Sequence, residues 1–207
     1  AILSGDTLFV LAQLLLTDLN PVIHQRFNEV ALSVCEGQGF DKEFENDSSI
    51  KMDQYLSMIS KKTGALLGLS AEMGGLIGSL NNNNNNHLFE FGLNLGLAFQ
   101  IQDDYLEIFA DETTMGKSLG SDIHYQKQTA MTILAREKNL SKWNQFINEK
   151  NDIETFREYF HLSGVKSETK KLIEFYIIKA QKNLSFIPEK KRGNLISYTE
   201  LILNRKF

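Results

Sequence analysis

The stretch from residue 92 to residue 129 restricts this chain more than any other. Leu93, Leu95, Leu97, Ala98, Phe99 and Ile101 cover most of the circumference of a helix. No polar face is left for water, so such a helix belongs inside a bundle. Towards its end the same helix carries Gln100, Asp103, Asp104 and Glu107. Spacings of three and four set Gln100, Asp103 and Glu107 on one stripe, with Asp104 beside it. Carboxylates this close repel, by on the order of 3 kcal/mol per pair at roughly 6 Å and an effective dielectric of about 20. A solvated acidic helix end tolerates that repulsion, and a cation offsets it. Oxygen-rich carboxylate sets suit Mg2+, which keeps several waters and takes one or two carboxylates plus substrate phosphates. Lys117 and Lys127 follow at distances that let them close over an anion, and the apolar approach helix favours the cation reading.

The rest of the chain reads as helices, with no competing β-alternation, so the fold class is all-α. Residues 2–18 form a wide apolar face with Leu3, Leu8, Leu11 and Leu14, and Asn20-Pro21 separates them from a second helix over 22–37. Gln38 and Asp41, three apart, either face a cavity or form a polar helix end. The acidic stretch 42–50 reads as a loop. A long helical stretch over 52–80 keeps Tyr55, Met58, Ile59, Leu66, Leu69 and Met73 in helical spacing. Inside it Lys62 is costly to bury unless it finds an anion, and Thr63 beside Gly64 points to a local bend that exposes backbone groups. The alternative for Lys62 is a lysine that snorkels to the surface. Six asparagines at 81–86 read as a flexible connector that also caps a helix beginning near His87. After a glycine-bearing loop over 110–121, Asp122 caps a helix running through Arg136. Further helices are expected at 140–149, 152–161, 167–186 and 190–205.

Several motifs now resemble one family. Phe99-Gln100 with Asp103-Asp104 and Glu107, then Gly116-Lys117 with Gly120 and Asp122, then Lys127 with Thr129, are similar to the second aspartate-rich region of trans-isoprenyl diphosphate synthases, the polyprenyl synthetases. Lys62-Thr63-Gly64-Ala65-Leu66 resembles their KTGxL, and Gly37-Gln38 with Asp41 resembles their GQxxD. Glu107 stands where the family usually has aspartate, and keeps a carboxylate. The resemblance runs the length of the chain. It implies a single helical domain over 1–207, the C-terminal two-thirds of a polyprenyl synthetase domain, with mostly antiparallel helices around a central apolar cavity.

The implied activity is a prenyl transfer, in which isopentenyl diphosphate condenses with an allylic diphosphate through Mg2+-assisted ionisation. Asp103, Asp104 and Glu107 are then the metal carboxylates. Lys62, Thr63, Gln100 and Lys117 are catalytic, and Lys62, Gln100, Lys117, Lys127, Gln38 and Asp122 bind substrate. Asp122 would orient Lys127 or a metal-bound water. A class I terpene cyclase and a non-catalytic regulatory paralogue are the alternatives. The chain starts at Ala1 in what reads as helix interior. By the resemblance, preceding residues would hold the family's first aspartate-rich motif, which is absent here.

Totals exclude more than they assign. A formal charge of −4 with 42% hydrophobic residues gives no basic excess for nucleic acid. No run of eighteen apolar residues marks an integral membrane segment, and the single Cys35 fits a reducing compartment, so the cytoplasm is expected. The apolar surface of 2–18, 22–37 and 64–80 implies a subunit interface, and with the family resemblance it points to a homodimer.

Overall fold

The computed structural model describes residues 2–110, 127–149 and 151–204. Among these residues there are only helices, turns and irregular links, so the expected all-α class holds. We label the helices α1 (Ile2–Leu16), α2 (Pro21–Glu43), α3 (Met52–Ile59), α4 (Ala65–Ile77), α5 (Asn82–Phe109), α6 (Ala130–Lys138), α7 (Leu140–Ile147), α8 (Ile153–Leu162), α9 (Val165–Asn183) and α10 (Glu189–Leu203). A π-helical segment, Ser60–Gly64, joins α3 to α4.

The apolar helix sits at the centre. α5 packs along α4 on one side and along α9 on another, and it buries Phe91, Leu95, Leu97, Ala98 and Ile101. Two glycines let α4 come unusually close. A Cβ at Gly92 would lie 2.2 Å from the Leu67 carbonyl oxygen, and one at Gly96 would lie 2.6 Å from the Gly64 Cα. Backbone therefore meets backbone at that crossing, which only residues without a side chain permit.

Three boundaries differ clearly from those the sequence suggests. The asparagine run is not a flexible connector: Asn81 caps the helix through its side chain, which accepts from the Asn84 N–H, and α5 is already helical from Asn82. Asparagine is a poor helix former in isolation, but Asn85 is buried with its amide donating 3.1 Å to the Leu80 carbonyl, so tertiary contact decides the case. α2 runs on through Gln38 and Asp41 to Glu43, past the expected end at 37. The long helical stretch expected over 52–80 holds as α3, the π segment and α4 in direct succession to Ile77, with the irregularity at the anticipated bend. Finally, α6 begins at Ala130, where Thr129 is the cap, so the helix through Arg136 does not start at Asp122.

The far end of α5 is anchored by one arginine. Arg157 of α8 donates from Nε to the Ile108 carbonyl and from Nη2 to the Ala110 carbonyl, each at 2.6 Å. A guanidinium on these orphan carbonyls satisfies them and complements the negative end of the helix dipole. Behind it, Trp143, Phe146, Phe156, Tyr159 and Phe160 form a cluster of stacked and edge-on rings that seats α7 and α8. No described helix is long and apolar enough to cross a membrane.

Candidate active site

The acidic stripe of α5 faces a cleft of about 330 Å³. Asp103, Asp104, Glu107 and Gln100 line it from α5; Tyr55, Met58 and Ile59 from α3; Lys62 from the π segment; Asp41 from α2; Phe44 and Glu45 from the link that follows it; and Lys127, Gln128 and Thr129 from the residues before α6. Acidic and basic groups that lie far apart in sequence thus share one wall. Phe44, Met58 and Ile59 supply its apolar part.

The π segment explains how Lys62 arrives there. Its ring closes from the Ala65 N–H to the Ser60 carbonyl, one residue wider than an α-turn. α2 presses on this segment at Gly37, where a Cβ would lie 2.3 Å from the Lys62 backbone nitrogen. Two adjacent lysines then each find an acid on α2: Lys61 meets Glu36 at 2.8 Å and Lys62 meets Asp41 at 2.7 Å. The Lys62 pair is the more enclosed, with its side chains 29% and 18% exposed. That enclosure keeps the ammonium in the cleft rather than letting it snorkel.

A chain of hydrogen bonds crosses the cleft floor. Thr63 Oγ1 donates to Gln100 Oε1 at 2.9 Å, and Gln100 Nε2 donates to Asp104 Oδ1 at 3.0 Å. The second carboxylate oxygen of Asp104 accepts from the Tyr55 hydroxyl at 2.7 Å. Asp104 is only 6% exposed, and three elements converge on it. Asp103 and Glu107 are half-buried on the cleft wall. Among the described residues no three acidic, histidine or cysteine side chains close on one point tightly enough to hold a metal alone.

Of the residues proposed from sequence, Lys62, Thr63, Gln100, Asp103, Asp104, Glu107 and Lys127 are thus brought into one neighbourhood. Gln38 stays exposed and reaches the cleft through Asp41, with Nε2 at 3.4 Å from Oδ2. Lys117 and Asp122 lie outside the described residues. Tyr55 was legible only as a core residue. Asp41, read from its spacing as facing a cavity or ending a helix, lines the cleft and pairs with Lys62.

Comparison with known proteins identifies the family. A model of the polyprenyl synthetase family matches residues 1–162. A geranylgeranyl diphosphate synthase of Sulfolobus acidocaldarius is 42% identical over 145 residues, which cover 66% of this chain and 44% of that enzyme. The chain therefore spans less than half the length of that relative in the match. A crystal structure of a geranylgeranyl pyrophosphate synthase superposes on all of this chain and 68% of its own, with a TM-score of 0.90 and 31% identity. A polyprenyl synthase from Caulobacter crescentus, solved with calcium and isoprenyl diphosphate, covers 91% of this chain and 61% of its own at a TM-score of 0.81 and 25% identity. With its family match extending from the first residue through α8, this chain belongs to the polyprenyl synthetase family.

Proposed function

We propose that the cleft is the diphosphate end of a prenyltransferase site, at which isopentenyl diphosphate is condensed with an allylic diphosphate. The observation that carries this is that Asp103 and Glu107 line the same cleft as Lys62 and Lys127. Carboxylates and ammoniums in one wall suit a ligand that is itself anionic and brings a divalent cation. The oxygen donors of Asp103 and Glu107 fit Mg2+, and the related Caulobacter protein was solved with both calcium and an isoprenyl diphosphate. Bound there, Mg2+ would draw charge off the diphosphate as it leaves.

The chain's own residues do the rest. Lys62 and Lys127 present ammoniums to the diphosphate oxygens, where negative charge grows as the allylic C–O bond breaks. The bond's electron pair departs with pyrophosphate and leaves an allylic cation. The double bond of isopentenyl diphosphate attacks that cation to form the new C–C bond, and a proton is lost, with pyrophosphate as the acceptor. Thr63 and Gln100 offer oxygen dipoles without full charge, which stabilise a cation without trapping it. Asp104 takes a different part from its neighbours. Held on both oxygens by Tyr55 and Gln100, it fixes the geometry of Gln100 and of the helix turn that carries Asp103. By the family pattern, Lys117 would add a further ammonium and Asp122 would orient Lys127 or a metal-bound water.

Calorimetry tests the reading directly. Mg2+ should bind the protein much more tightly with inorganic pyrophosphate present than alone, because the carboxylates supply only part of a coordination shell. Equal Mg2+ affinity in both conditions would count against it.

The assembly we propose is a homodimer, in a cytoplasmic setting consistent with the lone cysteine. Leu3, Leu8 and Leu15 of α1, Leu32 of α2 and Leu66 and Ile77 of α4 are all at least half exposed. Helices that pack on one another yet show this much apolar surface usually present an interface. Light scattering of the full-length protein is expected to return twice its monomer mass, and a monomer at micromolar concentration would remove the proposal.

A further inference from the structure

Arg136 lies on the last turns of α6, away from the residues that line the cleft, yet its guanidinium reaches two segments that do. One nitrogen donates to Gln128 Oε1 at 2.8 Å. Another donates to the backbone carbonyl of Ile50, in the link between α2 and α3. Gln128 is flanked by Lys127 and Thr129, and all three residues line the cleft. The link on the other side contributes Phe44 and Glu45 to the same wall. Glu137, the next residue, accepts from the Met52 N–H, which adds a second stitch to the start of α3.

The Lys127 carbonyl also meets two groups of its own segment. Thr132 Oγ1 approaches the Lys127 carbonyl at 3.4 Å, and the Thr129 N–H reaches the same oxygen at 3.2 Å. Both are long for hydrogen bonds of their type. The Arg136–Gln128 bond is shorter, charge-assisted and half-buried. Burial pushes the guanidinium's pKa down, while the carboxylates of Glu137 and Asp47 oppose that shift. A desolvated guanidinium left without partners is costly, so the arrangement resists alternatives.

We infer that Arg136 is a positioning residue that, through Gln128, holds the Lys127 backbone at the height from which its ammonium meets the substrate diphosphate. This rests on the proposed diphosphate reading of the cleft. It assigns to α6 a part in substrate binding that its buried core residues do not suggest. A lysine on an untethered segment still carries its charge but samples many positions, and it loses the advantage of preorganisation.

The test is a double-mutant cycle on pyrophosphate binding, measured by calorimetry in MgCl2, so that no turnover is needed. Lys127→Met should weaken binding by about tenfold or more. Arg136→Met should weaken it roughly tenfold, the loss expected of a charge-assisted hydrogen bond. In the double variant the loss should be no greater than in Lys127→Met alone, because Arg136 acts only through that lysine. Multiplying losses, or an unchanged affinity in Arg136→Met, would overturn the inference and leave the diphosphate reading standing. A wild type that does not bind pyrophosphate, or a Lys127→Met that binds it equally well, would overturn both. Should Arg136→Met fail to fold because the Ile50 contact is lost, Gln128→Leu decides. It breaks the Gln128 bond and spares the Ile50 one, and it should reproduce the affinity loss with a circular-dichroism spectrum like that of the wild type. An unaltered affinity in Gln128→Leu would equally overturn the inference.

Discussion

In the full-length protein, Asp103→Ala is expected to lower prenyl elongation by about a hundredfold to a thousandfold, the range found when one preorganised group facing transition-state charge is removed. Asp103 sits half-buried on the cleft wall, on the stripe that begins at Gln100. Its loss also relieves repulsion within the acidic stripe, so the variant should melt no lower than the parent. That pairing of intact fold with lost turnover separates a chemical role from a structural one. Glu107→Ala should cost less, about tenfold, since it lies a turn further along and departs from the family pattern. A radiolabelled isopentenyl diphosphate incorporation assay checks both. Turnover in Asp103→Ala within a few-fold of wild type would remove the assignment.

The second large effect is on stability. Gly96→Val should destabilise the protein by about 3 kcal/mol, at the upper end of what overpacking a tight contact costs. For a chain of this size that corresponds to a fall in Tm of about 6–12 °C. A Cβ at this position would lie 2.6 Å from the Gly64 Cα and 3.3 Å from the Thr63 carbonyl oxygen. Neither is the end of a flexible side chain, so the two helices must separate. Thr63 would then move relative to Gln100, and the hydrogen bond between them at 2.9 Å should weaken with the fold. Thermal melting followed by circular dichroism decides; a change of about 2 °C or less would show that the crossing gives way more easily than backbone contact allows.

The helical architecture was legible because α5 carries its own instructions. A run with no polar face has to be surrounded, and an acidic stripe at its end has to be answered. Asp103 and Glu107 could be placed from spacing alone. Their counterparts could not, because period 3.6 tells which residues share a face and is silent about what lies opposite. Tyr55 is 49 residues from Asp104, and its hydroxyl looks like any core tyrosine until α3 is docked. Arg136 is 86 residues from Ile50, and a basic residue at a helix C-terminus has a sufficient local explanation in the dipole. The asparagine run shows the converse failure. Local propensity reads it as a loop, while Asn85 is held against Leu80 and Gly75 by contacts that propensity does not include.

The widened turn at Ser60–Gly64 has a consequence in the bookkeeping of phase. An α-helix advances about 100° per residue, so one surplus residue rotates everything before it by that angle relative to everything after. α3 thereby turns Tyr55, Met58 and Ile59 to the cleft, while α4 turns the Gly64–Leu67 backbone to Gly92 and Gly96. A regular helix of the same composition could satisfy one of these neighbours but not both. What this turn encodes is therefore a count. Losing a single codon there would restore an unbroken helix and turn either Tyr55, Met58 and Ile59 off the cleft or the Gly64–Leu67 backbone off Gly92 and Gly96.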